Sequence, residues 1–381
     1  MSTFRNSVII CLIFLLGACS PTKHLPEGEE LYTGATVNLE TTGTTARQQK
    51  VLKSDLQGLT RPKPNSRFLG IPFKLGIYNM FRNAKPNSFF GRFRDKNGEP
   101  PVLVSSVDVE YNTRLLSGHL ENKGFFRTKV TGDTIVKGKK GHAEYTAAAG
   151  AQYKINTVQF PTDSGALGRA IRESATQSLL QVEGPYDLDV IRGERNRIDA
   201  YLKERGFYYF SPEYLIVRVD STVGNNRVDL QVAVKGEAPG NAVVPYTIND
   251  VVIYTNYSLN NTRQDTSLQN AQFYQGYHIV DRRKRFKPKL FTNIMQFKPG
   301  EVYNRADHNQ TLNRLINLNE FRFVRNRFEP VPDSAKLNAY YYLTPLPKKS
   351  LRGEVNVTSK SNNLNGTAIQ LSWRNRNTFR A

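Results

Sequence analysis

The hydrophobic period of residues 151–238 changes twice, and that change limits most sharply what the chain can fold into. Tyr153-Lys154-Ile155-Asn156-Thr157-Val158-Gln159-Phe160 reads as a strand, and Pro161 ends it. Asp163 and Ser164 then offer N-caps, and Leu167, Ile171, Ala175 and Leu179 recur every four residues, which predicts one helical face. Gly184-Pro185 stops that helix. A second helix starts near Asp187, with Ile191, Ile198, Tyr201 and Leu202 on one side, and Gly206 stands where a left-handed C-cap is wanted. Two alternating runs follow, Leu215, Val217, Val219 and then Val228, Leu230, Val232, Val234, with Gly224-Asn225-Asn226 as the turn. The order is strand, helix, helix, strand, strand: an α+β unit with a three-stranded sheet backed by two helices.

The same order returns on either side. Downstream, Thr247 to Tyr254 reads as a strand, followed by a polar insertion to about Tyr277 and a short helix over Lys289 to Met295. Gly300-Glu301-Val302-Tyr303-Asn304 matches Gly184-Pro185-Tyr186-Asp187, and Leu312, Leu315, Ile316 and Asn319 mark the second helix. Strands around Phe323 to Phe328 and through Leu337, Ala339, Tyr341 and Leu343 close the unit, joined by the turn Pro330-Val331-Pro332-Asp333-Ser334. Upstream, Tyr32 to Leu39 is the strand and Ala46 to Leu56 the first helix. The second helix carries Leu115, Leu116 and Leu120, and the hairpin turns at Lys137-Gly138-Lys139-Lys140-Gly141. The predicted units are 31–150 with an insertion at 59–101, 151–238, and 243–345. Their second helices end in Gly124-Phe125-Phe126, Gly206-Phe207-Tyr208 and Asn319-Glu320-Phe321, with Glu320-Phe321 in the place of Gly206-Phe207. A tight exit followed by an aromatic that plugs the helix–sheet core explains that pattern.

These residues, over about 31–347, resemble POTRA domains, the periplasmic repeats of outer-membrane assembly factors. After the stiff Pro345-Leu346-Pro347-Lys348-Lys349, Leu351 to Ser359 and Thr367 to Arg374 alternate about the turn Asn362-Asn363-Leu364-Asn365-Gly366, and the chain closes on Asn375-Arg376-Asn377-Thr378-Phe379. This resembles the first hairpin of the membrane barrel in the BamA/TamA superfamily. Two strands cannot span a membrane alone, because their edges leave backbone groups unpaired in lipid. Residues 346–381 are therefore expected to be a linker and the first hairpin of an incomplete β-barrel, or else a soluble terminal hairpin.

At the other end an uncharged apolar run, Val8 to Leu16, follows Arg5 and leads into Leu16-Gly17-Ala18-Cys19. It is far shorter than the ~20 residues of a spanning helix and reads as a processed signal. An ordinary secretory signal, or a short anchor with an unrelated cysteine, are the other readings. The resemblance to a bacterial lipoprotein signal implies removal of 1–18, lipidation (palmitate-type acylation) at Cys19, and a lipid-anchored linker over 19–30. The two cysteines are Cys11 and Cys19, so a chain processed in this way has no disulfide. Lipid at the start and a barrel hairpin at the end resemble the lipoprotein, TamL-type branch of the TamA proteins.

The net charge of +20 in an exported chain points to anionic lipid or acidic client chains and away from nucleic acid. His24, His119, His142, His278 and His308 show no metal-ligand spacing, and no phosphate loop, nucleophile elbow or HExxH occurs. We expect no enzyme and no cofactor. Two basic features stand out. Arg282, Arg283, Lys284 and Arg285 form either a solvated loop or a contact with lipid head groups or a barrel rim. The stretch Leu56 to Arg94 holds no acidic residue and mixes Phe68, Leu69, Ile71, Phe73, Leu75, Ile77, Tyr78, Met80 and Phe81 with basic side chains. It suits an interfacial segment, through Phe73 and Phe81 among others, as well as packing onto its own repeat.

The resemblance implies an outer-membrane lipoprotein with periplasmic repeats that binds unfolded outer-membrane or secreted proteins by β-augmentation and inserts or exports them. Its other implied partners are outer-membrane lipid and further assembly subunits. The candidate edges are the second strands, Arg127 to Val136, Tyr214 to Asp220 and Arg322 to Phe328, with Tyr214, Leu215, Ile216, Val217 and Arg218 as pairing residues, unless neighbours cover those edges. A two-partner secretion transporter for one substrate and a scaffold lipoprotein without a barrel are the alternatives.

Overall fold

The computed structural model describes residues 21–258, 267–359 and 365–376. The signal, Cys11, the lipidation position Cys19, the turn residues 360–364 and Phe379 lie outside the described residues. The chain divides into two compact units, and the division runs through the middle repeat.

In the first unit, β1 (Leu31–Thr42) leads into α1 (Ala46–Leu59). The insertion follows with α2 (Phe73–Met80) and α3 (Phe89–Asn97), then α4 (Val109–Asn122), β2 (Lys129–Lys137) and β3 (Lys140–Ala151). The sheet order is β1-β3-β2, with β1 parallel and β2 antiparallel to β3. A reciprocal cap starts α1: the Thr45 hydroxyl accepts from the Gln48 amide and the Gln48 side chain accepts from the Thr45 amide. Asp108 caps α4 by accepting from the Tyr111 amide at 2.8 Å. Alternate residues of β3, Ala143, Tyr145, Ala147 and Ala149, face the core, where they meet Leu56, Leu116 and Leu120. The small side chains let the helices lie close to the sheet. Each buried leucine contributes about 1.5–3 kcal/mol.

The middle repeat comprises β4 (Lys154–Gln159), α5 (Ala166–Ser174), α6 (Leu188–Lys203), β5 (Leu215–Asp220) and β6 (Arg227–Val234), in the sheet order β4-β6-β5. Its first helix departs from the expectation at both ends. Gly165 is the N-cap residue and no side chain caps it, while Asp163 accepts from the Gly165 amide in the preceding turn. The helix stops at Ser174, whose hydroxyl donates back to the Ile171 carbonyl at 2.7 Å. The Glu194 carboxylate takes the Leu179 amide at 2.9 Å and draws the backbone away. Leu179 therefore lies off the helix and is 48% exposed.

In the second unit, β7 (Thr247–Tyr254), β8 (Gln272–Tyr274), β9 (Tyr277–Val280), α7 (Pro288–Ile294), α8 (Arg305–Asn317), β10 (Phe321–Pro330) and β11 (Lys336–Pro345) make a sheet of order β10-β11-β7-β9-β8. The insertion expected to be merely polar adds two strands here, with β9 running parallel to β7. Ile248, Ile253, Phe291, Phe297, Leu315, Leu337, Tyr341 and Leu343 fill this core. Among the described residues no helix is long and apolar enough to cross a membrane.

Among the described residues the terminal strands β12 (Lys349–Ser359) and β13 (Asn365–Asn375) pair only with each other, antiparallel, with Leu351 opposite Trp373 and Val355 opposite Ile369. Leu351, Val355, Val357, Ile369, Leu371 and Trp373 share one face and are all more than 60% exposed. Arg352, Glu354, Gln370 and Ser372 occupy the other face. The alternation is that of a barrel strand with one side toward lipid. The architecture is α+β, built of POTRA-like β-α-α-β-β repeats followed by an open hairpin.

Candidate functional site

Backbone bonds from loops cover the start of each repeat's first strand, and β7 is an inner strand whose remaining length pairs with β9. In β4, the Ile155 amide donates to the Gly184 carbonyl and the Glu183 amide donates to the Ile155 carbonyl, both at 2.8 Å. In β7, the Ile248 amide donates to Glu301 at 2.8 Å and the Gly300 amide donates to Ile248 at 2.7 Å. In β1, the Tyr32 amide donates to Val102, and the Val104 amide donates to Glu30. Glu183 and Gly300 have φ of 65° and 90°, so the same left-handed kink turns both loops onto their strands. The second strands β2, β5 and β10 each stand at one end of their sheet, with β1, β4 and β8 at the other, and among the described residues no loop backbone bonds to β2, β5 or β10 between their ends. An open end presents a row of unpaired N–H and C=O groups.

The ends of β5 are firmly held. Arg195 donates from Nε and Nη2 to the Pro212 carbonyl, at 3.0 and 2.6 Å. The Tyr214 carbonyl accepts from the Lys235 amide at 2.8 Å. At the far end Asp220 accepts from both the Thr222 hydroxyl and its amide, which hold the Asp220 carboxyl below its ordinary value. Gly224, Asn225 and Asn226 turn the chain with φ of 86°, 49° and 52°.

Of the five expected pairing residues, Tyr214 lies in the 3-10 turn Pro212–Tyr214 before the strand, and the Leu215 side chain is buried in the core. Ile216 and Arg218 are exposed and Val217 is half-buried. The three open edges also differ in charge. β10 presents Arg322, Arg325 and Arg327, and β2 carries a lysine at each end, Lys129 and Lys137. Charged edges resist strand addition. The six residues of β5 carry one arginine and one aspartate, with Ile216 and Val219 partly exposed.

A second feature repeats along the chain, where one repeat's helix meets the next repeat's strand. The Gly124 carbonyl accepts from the Tyr153 amide at 2.9 Å, and the Tyr153 carbonyl accepts from the Tyr186 amide at 2.8 Å. The Gly206 carbonyl accepts from Tyr246 at 2.8 Å, and the Tyr246 carbonyl accepts from Tyr303 at 2.9 Å. The two aromatics after each glycine divide the work expected of one. Phe125 and Phe207 are buried in their own cores. Phe126 packs edge-on against Tyr153 and Tyr186, each at 4.9 Å, and Tyr208 packs edge-on against Tyr303 at 4.9 Å. At the first junction Lys123 bridges Asp187 and Asp189 at 3.0 and 2.9 Å. Burial opposes its charge, but the hydrogen bonds to Asp189 and Asp187 outweigh it and hold the ammonium above its ordinary value. In the third repeat Asn319, at φ 54°, takes the glycine's place, one residue earlier than expected. The Glu320 carbonyl then accepts from the linker amide of Leu346 at 2.9 Å.

The basic features are placed as follows. Arg282, Arg283 and Lys284 are exposed in the turn before α7, while Arg285 donates to the Leu346 carbonyl at 3.1 Å. Phe73 is partly exposed, and Phe81 is half-buried against Phe90 at 5.3 Å. The insertion both packs and protrudes: Leu75 and Ile77 turn inward, while Phe68, Leu69, Phe89 and Phe90 turn out. The α3 phenylalanines were not among the residues singled out in the sequence. Their clustering within an acid-free stretch was the signal that could have found them.

No known family profile matches the chain, and no curated protein matches it. Solved structures do. The chain is similar to a crystal structure of Haemophilus influenzae BamA POTRA3-5 at 14% identity and a TM-score of 0.38, covering 84% of this chain and 99% of that one. It is similar to the N-terminal domain of Omp85 from Thermosynechococcus elongatus at 13% identity and a TM-score of 0.28, covering 84% and 100%. It is also similar to CdiB from Acinetobacter baumannii at 12% identity and a TM-score of 0.28, covering 60% of this chain and 36% of that one.

Proposed function

We propose that the chain is a non-enzymatic assembly or translocation factor of the outer membrane, in the lipoprotein branch of the BamA/TamA superfamily. It is anchored by lipid at Cys19, its repeats lie in the periplasm, and its terminal hairpin belongs to a barrel. Unfolded outer-membrane or secreted chains add a strand to the open second-strand edges, β5 foremost. Main-chain hydrogen bonds supply affinity with little demand on sequence, which suits a carrier of many clients. The observation that carries the reading is the asymmetry of the edges. The first strand of each repeat is bonded to a loop at its opening residues, while among the described residues no loop backbone bonds to β2, β5 or β10 between their ends.

Proline scanning of β5 tests it. In an edge strand, alternate amides point to the neighbouring strand and to solvent. Of Ile216→Pro and Val217→Pro, one breaks the pairing with β6 and lowers stability, and the other removes only an outward donor. The stable variant should lose crosslinking to client chains. Undiminished crosslinking in that variant would count against pairing at β5.

A further inference from the structure

The insertion of the first repeat carries apolar side chains that its own packing does not use. Phe68, Leu69, Met80, Phe89 and Phe90 are between 55% and 89% exposed. Their exposure is held in place, because buried asparagines fix both ends of the insertion. Asn112 accepts from the Arg61 amide at 2.8 Å and donates to its carbonyl at 2.6 Å. Asn65 donates to the Pro100 carbonyl at 2.7 Å and accepts from the Val102 amide at 3.0 Å. Between them, Phe68 and Ile71 exchange backbone hydrogen bonds at 2.9 and 3.0 Å around a tight turn. Leu69 and Gly70 fill that turn with φ of 48° and 82°. Glycine or asparagine suits such a conformation and leucine does not. Leu69 is nonetheless the residue placed there, and it is 89% exposed. Phe68, Leu69, Ile71 and Phe73 line a groove of about 630 Å³, together with Arg67 and Lys74.

Charge and connection name the occupant. Residues 56–94 hold eight basic side chains and no acidic one, which matches an anionic surface. Asn79 of the insertion donates to the carbonyl of Pro21 at 3.5 Å, and Thr22 is buried. Pro21 is two residues from Cys19, so the insertion is tied to the chain where a lipid there would emerge. We propose that the insertion docks on an anionic lipid bilayer, with the Phe68–Leu69 tip and Phe89 and Phe90 entering the interfacial layer. The proposal deepens the anchored reading but rests on it only for the position of the lipid. A bilayer hold of this kind works alongside acyl chains, since a single chain binds reversibly.

Tryptophan quenching in the full chain tests this by position. Trp373 is the chain's one tryptophan. In a Trp373→Phe background, Leu69→Trp or Val223→Trp (on the β5–β6 turn) is mixed with vesicles containing acyl-brominated lipid. One vesicle set contains phosphatidylglycerol and the other is phosphatidylcholine alone. The tryptophan of Leu69→Trp should shift to the blue and be quenched on the anionic vesicles, and far less on the neutral ones. That of Val223→Trp should stay solvent-like on both. Phe89→Ser/Phe90→Ser should lower the bound fraction. Solvent-like emission from Leu69→Trp on vesicles that have taken up the protein overturns the proposal. The same measurement with Cys19→Ser separates the two readings: quenching that survives upholds docking whatever the fate of the lipid. Quenching that vanishes shows no affinity of the insertion's own and overturns it.

Discussion

Replacing Gly124 with alanine should weaken the first unit more than any surface change, and the size can be worked from two separate causes. Gly124 has φ of 87°, and a Cβ there would lie 2.8 Å from the Tyr186 carbonyl oxygen and 3.1 Å from the Tyr186 Cβ. The left-handed conformation costs a residue with a Cβ about 1–2 kcal/mol. Forcing a methyl against a backbone oxygen adds about 1–3 kcal/mol of overpacking. The sum for Gly124→Ala is about 2–5 kcal/mol. Gly124→Asn separates the two causes. Asparagine accepts the left-handed conformation, as Asn319 does at φ 54°, but keeps the collision. Gly118 in α4 is the control: nothing lies within 4 Å of its Cβ position. Gly118→Ala in a helix interior should gain about 0.5–1 kcal/mol. The assay is urea unfolding of the full chain, followed by hydrogen exchange in β3 peptides, since one global midpoint does not describe a chain of two units. The predicted order of stability is Gly118→Ala, wild type, Gly124→Asn, Gly124→Ala. Wild-type behaviour of Gly124→Ala beside a stabilised Gly118→Ala would refute the reasoning, because the contact with Tyr186 could not then be formed.

Other predictions concern polar side chains that hold or shape the backbone. Burial raises the Glu194 carboxyl, but hydrogen bonds from Arg197 and the Leu179 amide outweigh it and hold the group below its ordinary value. The stability this confers is whole above the ordinary glutamate value near pH ~4.3 and is lost as pH falls through the lower folded value. Glu194→Gln should therefore flatten the acid limb of a stability–pH curve and destabilise the protein at neutral pH by about 3 kcal/mol; an unchanged limb would assign the acid sensitivity elsewhere. Asn112→Ala removes both bonds to the Arg61 backbone, so limited proteolysis should cut within residues 59–101 faster, with β3 protected as before. In the third repeat, Asn319→Ala should lower stability by about 1 kcal/mol and Asn319→Gly by little, as read by thermal unfolding.

Much of the fold was legible wherever the pattern was local. The bounds of β7, Thr247–Tyr254, are those read from the sequence. The β5–β6 turn falls at Gly224-Asn225-Asn226, because three successive positive φ angles suit glycine and asparagine. What escaped depends on distant partners. Strands β8 and β9 span only Gln272–Tyr274 and Tyr277–Val280, too short to show a period, and β9 pairs in parallel with β7. Leu179 keeps the helical spacing, yet Glu194, fifteen residues on, takes its amide. The sequence shows aromatics after each helix-ending residue, but not that Phe125 serves its own core while Phe126 clasps Tyr153 and Tyr186. In the candidate edge, alternation marks Ile216 as outward, whereas a 3-10 turn closed on the Ser211 and Pro212 carbonyls takes Tyr214 out of the strand.

Segment-resolved hydrogen exchange with a client strand tests the central claim most directly. The full chain is exchanged alone and with a synthetic ten-residue peptide of alternating apolar and polar residues. Strand addition at the β5 edge predicts slowed exchange over Leu215–Asp220 and no change over Lys154–Gln159, where the Gly184 loop already holds Ile155. Protection over Lys154–Gln159 with none over Leu215–Asp220, or protection over neither while the peptide is bound, would contradict it.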